Sequence, residues 1–281
     1  MLSYQHAYHA GNHADVLKHA VLTLLLASLR RKDKPFSYID THSGRGIYDL
    51  ASELAQKTGE AASGIIRALE NPVLAPESIA PYLDICRRMY ADRGRYPGSP
   101  ALAAALSRPG DSLHLMELHP GEIEHLRRAL ADEPRAHVHF RDGFIAITAL
   151  TPPKPRRGLA LIDPSYETAD DYARVEASLS TLCVRWPEGI ICVWYPLVRR
   201  REGPTARLKA HAQTLLVSSL YAEFCPEGPS GEFGLYGSGM LILNPPWKLD
   251  EDIAELGPWL TAALGSTNET SFRSQWLRQA E

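Results

Sequence analysis

The chain is predicted to fold as an α/β protein, a doubly wound sheet whose last strands run antiparallel at one edge. Three observations carry this. Short apolar runs bounded by Gly or Pro recur along the chain, the clearest being Gly158-Leu159-Ala160-Leu161-Ile162 before Asp163-Pro164. Runs of that length read as strands buried on both faces, as in a parallel sheet. These strand signals alternate with helical patterns, which argues for helices on both faces of one sheet. Finally, Thr214 to Phe224 and Ser238 to Leu243 face each other across the Gly-rich stretch Gly228 to Gly237, the mark of a terminal hairpin.

The bulk numbers allow one large domain or one domain with an insert. The chain has 281 residues, 44% hydrophobic and 22% charged, with a formal net charge of −3. No global basic field is present, so a nucleic-acid partner would need a local basic face. The cysteines, Cys86, Cys183, Cys192 and Cys225, form no C-x-x-C pair. They fit reduced thiols in a cytoplasmic protein better than disulfides or zinc. The longest apolar run, Ala20 to Leu29, is broken by Thr23 and Ser28 and is too short to span a bilayer. No membrane partner and no signal peptide are expected.

The elements follow in order. Residues 1–12 are polar and rich in Tyr and His, and Asn12 reads as an N-cap with Asp15 three residues on. A helical pattern runs from Val16 to Leu29, and Arg30, Arg31 and Lys32 suit its end. Phe36 to Asp40 is a first strand running into Thr41-His42-Ser43-Gly44-Arg45-Gly46. Residues 47–98 carry helical patterns and no strand signal, and read as a helical insert. Strands are expected at Ser112 to Glu117, His137 to Phe140, Gly158 to Asp163 and Ile190 to Tyr195. Helices are expected near Glu122 to Leu130, Asp171 to Leu182 and Thr205 to Ala212.

Asp40, Glu117, Asp142 and Asp163 each close a predicted strand. In open α/β sheets ligands bind beyond the carboxyl ends of the strands. Acids are poor strand residues, so four in such places point to a ligand rich in hydroxyl and amino groups. Each acid could instead cap the following helix. Gly44-x-Gly46 lets the backbone approach a bound molecule, but no third glycine opens a helix at a pyrophosphate position. A nucleoside without a pyrophosphate, such as S-adenosylmethionine, fits better than a dinucleotide. Glu117 would take ribose hydroxyls and Asp142 the adenine amino group.

Asp163-Pro164-Ser165-Tyr166 then reads as the reaction centre. An adenine amino nitrogen is a poor nucleophile because its lone pair is delocalised into the ring. Two acceptors, the Asp163 carboxylate and the Pro164 carbonyl, can grip its two hydrogens and turn the lone pair toward a sulfonium methyl. Proline fixes φ and so directs that carbonyl. The ring of Tyr166 would stack the extruded base. The rate gain would come from positioning and electrostatics.

The Asp-Pro-x-Tyr loop, the order of motifs and the N-terminal Tyr4-x-His6-x-x-His9-Ala10-Gly11-Asn12-His13-Ala14-Asp15-Val16-Leu17-Lys18-His19 resemble the bacterial 23S ribosomal RNA adenine-N6 methyltransferases of the RlmJ type. The similarity extends through Tyr96-Pro97-Gly98-Ser99-Pro100 and Asn244-Pro245-Pro246-Trp247. It implies a class I methyltransferase (Rossmann-like) domain over residues 1–46 and 99–281, with a helical insertion subdomain over 47–98. It implies S-adenosylmethionine contacts at His19, His42, Ser99, Glu117, Asp142, Gly143 and Asp163. It also implies Asp163 as the catalytic acid, with Tyr4, His6 and Lys18 near the RNA. The expected partner is 23S rRNA, free or partly assembled, bound by a monomer in the cytoplasm. Ser165 stands where the family usually has a second proline; serine keeps the acid and the carbonyl.

Other readings compete for the same residues. Asn244-Pro245-Pro246-Trp247 matches an amino-methyltransferase loop on paper, yet it follows the last strand of the hairpin and reads as a sheet-edge turn. His9 and His13 are four apart, but no cysteine or close acid completes a set, so no metal is expected. On composition alone Lys18 and His19 read as solvated. Arg199-Arg200-Arg201 follows the strand at Trp194-Tyr195 and is expected to flank the cleft, where it would contact RNA backbone. The same chemistry on DNA adenine, or RNA binding without catalysis, are the alternative functions.

Overall fold

The computed structural model describes residues 5–72, 74–168, 170–228 and 234–279. The strands are β1 (Ser37–Asp40), β2 (Ile47–Asp49), β3 (Arg95–Pro97), β4 (Ser112–Glu117), β5 (Ala136–Phe140), β6 (Gly158–Ile162), β7 (Ile190–Leu197), β8 (Ser219–Cys225), β9 (Gly237–Leu243) and β10 (Ser271–Arg278). The helices are α1 (His13–Arg30), α2 (Glu53–Thr58), α3 (Arg67–Glu70), α4 (Ala80–Arg93), α5 (Ser99–Leu106), α6 (Pro120–Ala129), α7 (Gly143–Leu150), α8 (Asp170–Arg185), α9 (Glu202–Thr214), α10 (Leu249–Ala254) and α11 (Leu256–Leu264).

Eight strands form one sheet in the order β10-β8-β9-β7-β6-β1-β4-β5. The five strands from β5 to β7 are parallel, and β9, β8 and β10 continue the sheet antiparallel. The predicted doubly wound sheet with an antiparallel edge is therefore the fold. β1 and β6 sit centrally and are buried at every residue, as their unbroken apolar runs require.

Two apolar cores lie on the two faces of the sheet. One is built around α1, with Val16, Leu17, Val21, Leu24 and Leu25 against Leu161, Cys192, Met240 and Ile242. The other packs Ile147, Val175, Leu179 and Trp186 against Ile39, Ala160, Ile162 and Val193. α1 lacks a polar face: fifteen of its eighteen residues are buried, Lys18 and His19 among them. The solvated placement that composition suggested for those two is thus overturned, because α1 is enclosed by the sheet, α5 and the 47–98 segment. Asn12 caps α1 as expected, its side chain accepting from the Asp15 N–H at 3.0 Å.

Several elements differ from the sequence reading. The 47–98 segment opens and closes with β2 and β3, which pair antiparallel through Tyr48 and Tyr96. These strands are three residues each, too short to leave a period-2 signal. α9 runs to Thr214, and β8 begins only at Ser219, so the start of the expected hairpin strand is a helix end. β10 carries no strand signal because it lies at the sheet edge and its sequence, Ser-Phe-Arg-Ser-Gln-Trp-Leu-Arg, has no regular polar/apolar alternation. At the far end of β9, Asn244 donates to the carbonyls of Pro187 and Gly189, at 2.8 and 2.9 Å. That is the amino end of β7, so Asn244-Pro245-Pro246-Trp247 is a turn at the opposite end of the sheet from Asp163, as its place after the hairpin predicted.

No helix among the described residues is long and apolar enough to cross a membrane.

Candidate active site

A cavity of about 710 Å³ opens at the carboxyl ends of the parallel strands. At one end it is lined by His42, Gly44, Glu117, Asp142, Gly143 and Phe144. At the other it is lined by His6, Lys18, Asp163, Pro164, Trp194 and Arg201. His19 and Ser99 line it too. The sheet topology is what joins these ends: β1 lies between β4 and β6, so the loops after all three meet.

Asp163 is the first residue beyond β6. Its Oδ2 accepts from Lys18 Nζ at 2.7 Å, and the same ammonium lies 2.9 Å from Asp15 Oδ1. Asp15 Oδ2 in turn accepts from the Gly11 N–H at 2.9 Å and lies 2.9 Å from His6 Nε2, which must carry a proton to bond there. A chain of hydrogen-bonded polar groups thus runs from His6 through Asp15 and Lys18 to Asp163, across 157 positions of sequence that only the fold brings together. Exposure of the Lys18 side chain is 7%, of Asp15 2% and of Asp163 14%. Burial opposes charge on Lys18, but the two carboxylates outweigh it and hold its pKa well above the ordinary lysine range. Asp15 is likewise opposed by burial, and His6 and Lys18 hold its carboxyl well below the usual range.

At the other end Glu117 accepts from two backbone donors, Gly44 N–H at 2.8 Å and His119 N–H at 2.6 Å. Burial still pushes its pKa up. Asp142 caps α7, accepting from Phe144 N–H at 2.9 Å, and its other oxygen accepts from Arg174 Nη2 at 2.6 Å. Its helix-capping role is therefore real, and it faces the cavity as well. Gly143 is fixed by close approach: a Cβ there would overlap the carbonyl oxygen of Thr41. Gly44, at φ 59°, turns the loop after β1 where a Cβ would meet the Tyr48 hydroxyl.

Two of the cavity's histidines, His42 and His19, are held neutral by burial. His42 is pushed down to about 4 and rests edge-on against Phe144, 5.0 Å between ring centres. His19 is pushed down to about 3; its Nδ1 lies 2.6 Å from the Tyr96 hydroxyl, and its buried Nε2 has no partner among the described residues. An orphaned imidazole nitrogen in a cavity wall fits a polar ligand that reaches it. Together with the neighbouring glycines and the paired acids, these residues fit a nucleoside-sized group carrying amino and hydroxyl functions.

A family model described as ribosomal RNA large subunit methyltransferase D, RlmJ, matches residues 33–278. The chain is 42% identical over 280 residues to the ribosomal RNA large subunit methyltransferase J of Escherichia coli, with 99% of each chain covered. It is 41% identical over 281 residues to that of Haemophilus influenzae, again with 99% of each covered. The chain belongs to the RlmJ family. A crystal structure of a Legionella pneumophila protein, 33% identical, superposes with a TM-score of 0.87 over 95% of this chain and 98% of that one.

Against this RlmJ-family background the structure corrects two expectations. Tyr166 does not face the cavity. Its φ of 52° turns the chain into the left-handed region, and the ring drops beneath the loop, fully buried. There it lies 4.5 Å from the Tyr172 ring, and its hydroxyl donates to the Trp194 carbonyl at 2.8 Å. The Asp-Pro-x-Tyr tyrosine is here an anchor of the loop, and the lining aromatic beside Asp163 is Trp194. Asp40, the fourth strand-end acid, is fully buried and outside the cavity wall. It accepts from Ser99 Oγ at 2.7 Å and Tyr38 Oη at 2.8 Å, and burial pushes its pKa up to about 6. Ser99, which lines the cavity, is held by that bond.

The other expected residues fall as follows. His6, Lys18, His19, His42, Ser99, Glu117, Asp142, Gly143, Asp163 and Pro164 all line the one cavity. Tyr4 lies outside the described residues. Arg201 flanks the cleft as expected. His9 Nδ1 sits 2.8 Å from Glu60 Oε1, and that bond raises its pKa. Asp15 and Arg174 were missed as site residues. Asp15 carried a signal, an acid one helical turn before Lys18, but it read as part of a cap.

Proposed function

We propose that this chain methylates the N6 amino group of an adenine in 23S ribosomal RNA, with S-adenosylmethionine as the methyl donor. The observation that carries the reading is the shared cavity: the Asp163-Pro164 turn and the Glu117–Asp142 end open onto one space, at the carboxyl ends of neighbouring strands. When bound, S-adenosylmethionine supplies an electrophilic methyl on a positively charged sulfur. Glu117 would take its ribose hydroxyls and Asp142 its adenine amino group, with His19, His42, Ser99 and Gly143 completing the cradle.

Asp163 and Pro164 would hold the acceptor. Lys18 occupies Asp163 Oδ2, which leaves Oδ1 to accept one amino hydrogen while the Pro164 carbonyl accepts the other. That grip orients the nitrogen lone pair and is stronger in the transition state than in the ground state. As the N–C bond forms and the S–C bond breaks, the nitrogen must shed one proton, and the carboxylate already bonded to that N–H is the nearest base. Lys18 and Asp15 orient the carboxylate; His6 closes the same chain near the substrate side. Because Asp163 lines the cavity with its side chain only 14% exposed, the adenine must leave its helix to reach it. That favours free or partly assembled 23S rRNA over the mature ribosome as substrate.

The test is labelled-methyl transfer to 23S rRNA from a strain lacking this modification, with mapping of the modified base. Asp163→Ala and Asp163→Asn should each abolish transfer while S-adenosylmethionine still binds. Transfer at the parent rate by either variant would remove Asp163 from the chemistry. Equal transfer to a deoxy-oligonucleotide of the same hairpin would move the substrate class to DNA.

A further inference from the structure

We infer that a second cavity beside the first holds a nucleotide flanking the target adenosine in the same RNA strand. The inference rests on the reading of the chain as an RNA adenine methyltransferase. This cavity, about 270 Å³, lies where β7 and β8 end and β10 begins. Its wall includes Val198, Thr205, Lys209, Glu223, Tyr236 and Arg273. Val198 lines both cavities, and consecutive residues divide between them: Leu235 faces the first and Tyr236 the second. An RNA chain whose target base occupies the first cavity meets the second one residue away.

The chemistry of the wall suits a nucleoside. Tyr236 is half-buried, and its backbone N–H donates to the Leu197 carbonyl at 3.1 Å, which fixes it at the mouth. A partly exposed ring on an anchored backbone is a stacking surface for any base. Glu223 Oε1 accepts from Lys209 Nζ at 2.8 Å and Tyr195 Oη at 2.9 Å. Arg273 stands opposite Glu223 in the β8–β10 register, is exposed, and makes no ion pair among the described residues. Glu202 balances it at the rim. With two cations and two acids in its wall, the cavity is no trap for a bare phosphate. It offers a ring, two donors and acceptors to a base and its sugar. The phosphodiester joining the two nucleotides would cross the Val198 ridge, beside Arg201. Flanking-nucleotide contacts of this kind set sequence context in enzymes that act on an extruded base.

The test is steady-state methyl transfer to unmodified 23S rRNA with three variants. Tyr236→Ala removes the stacking ring, Tyr236→Phe keeps it, and Ala206→Trp fills the cavity from an exposed position of its wall. Tyr236→Ala and Ala206→Trp should each raise KM for RNA about tenfold, within the range of a lost base–aromatic stack. Their kcat should stay within about twofold by the same argument, since the reacting groups are untouched. Affinity for S-adenosylmethionine should be unchanged, and Tyr236→Phe should behave as the parent. Should Tyr236→Ala melt early, Ala206→Trp decides alone. An unchanged KM with normal transfer overturns this subsite and leaves the proposed function standing. A KM rise matched by an equal loss of cofactor affinity also overturns it. No transfer by the parent protein overturns the proposed function and this inference with it.

Discussion

Lys18→Met is the most revealing single change in the protein. Lys18 is one ammonium shared by two carboxylates, 2.7 Å from Asp163 and 2.9 Å from Asp15, all three side chains at least 86% removed from solvent on the exposures given above. Methionine keeps most of the packing volume and deletes the charge. Leaving one buried charge without its partner costs about 3–5 kcal/mol. Asp15 keeps His6 and the Gly11 N–H, so the lower figure applies: about 3 kcal/mol. At about 2–4 °C per kcal/mol for a chain this long, the melting temperature should fall on the order of 10 °C. Methyl transfer should fall further than stability explains, by about a hundredfold, because Asp163 loses the contact that fixes its orientation. The assay is thermal unfolding beside single-turnover methyl transfer at a temperature where both proteins are folded. Adding Asp15→Asn removes one of the two carboxylates that lose the shared ammonium. The double variant should recover about half of the lost stability, by the same buried-charge argument, with no recovery of transfer. Parent-like transfer in Lys18→Met, or a stability loss below about 1 kcal/mol, would refute the shared-cation argument.

Three further outcomes are expected. Gly143→Ala drives a methyl into the Thr41 carbonyl, so α7 must shift; stability should drop by about 1–3 kcal/mol and calorimetric affinity for S-adenosylmethionine should weaken. Tyr166→Phe leaves the Trp194 carbonyl without its donor and should cost about 1 kcal/mol in a urea titration with RNA affinity unchanged; a change in RNA affinity alone would put the ring back in the cavity. Stability should also decline in acid. His19 and His42 have folded pKa values near 3 and 4, below the unfolded value of 6.5. The unfolded chain therefore takes up protons that the fold refuses, and each histidine withdraws about 1.4 kcal/mol per pH unit below about 6.5. Asp40, raised to about 6, works the opposite way: the folded form holds a proton that the unfolded form has released between about pH 6 and 4. The urea midpoint should thus fall from pH 7 to pH 5, and Asp40→Asn should deepen the fall; a flat profile would show that these groups are not buried as described.

Much of this protein is legible in its residues alone. The unbroken apolar runs at 158–162 and 190–193, short and bounded, read as strands covered on both faces, and acids that end such strands are the candidates to face the ligand crevice. That reasoning reached Glu117, Asp142 and Asp163 without coordinates, because burial and strand polarity are local consequences of sequence. What escaped is everything that depends on which loops become neighbours. Lys18 lies 145 positions from Asp163; composition alone makes it a solvated helix residue, the family resemblance puts it near the RNA, and neither pairs it with Asp163, which takes the closure of the sheet and α5 around α1. Asp40 and Asp163 carry the same local signature, yet one is a sealed hydrogen-bond hub and the other a cavity floor, and only the packing of Tyr38 and Ser99 over Asp40 separates them. Tyr166 turned inward because one left-handed residue reverses a side chain's direction, and a positive φ on a tyrosine has no sequence signal. Sequence determined the sheet, its direction and the acids at its mouth; tertiary structure decided which of those acids has a cation, which a cap and which no access to the ligand, since pairing of charges is set by distance in space.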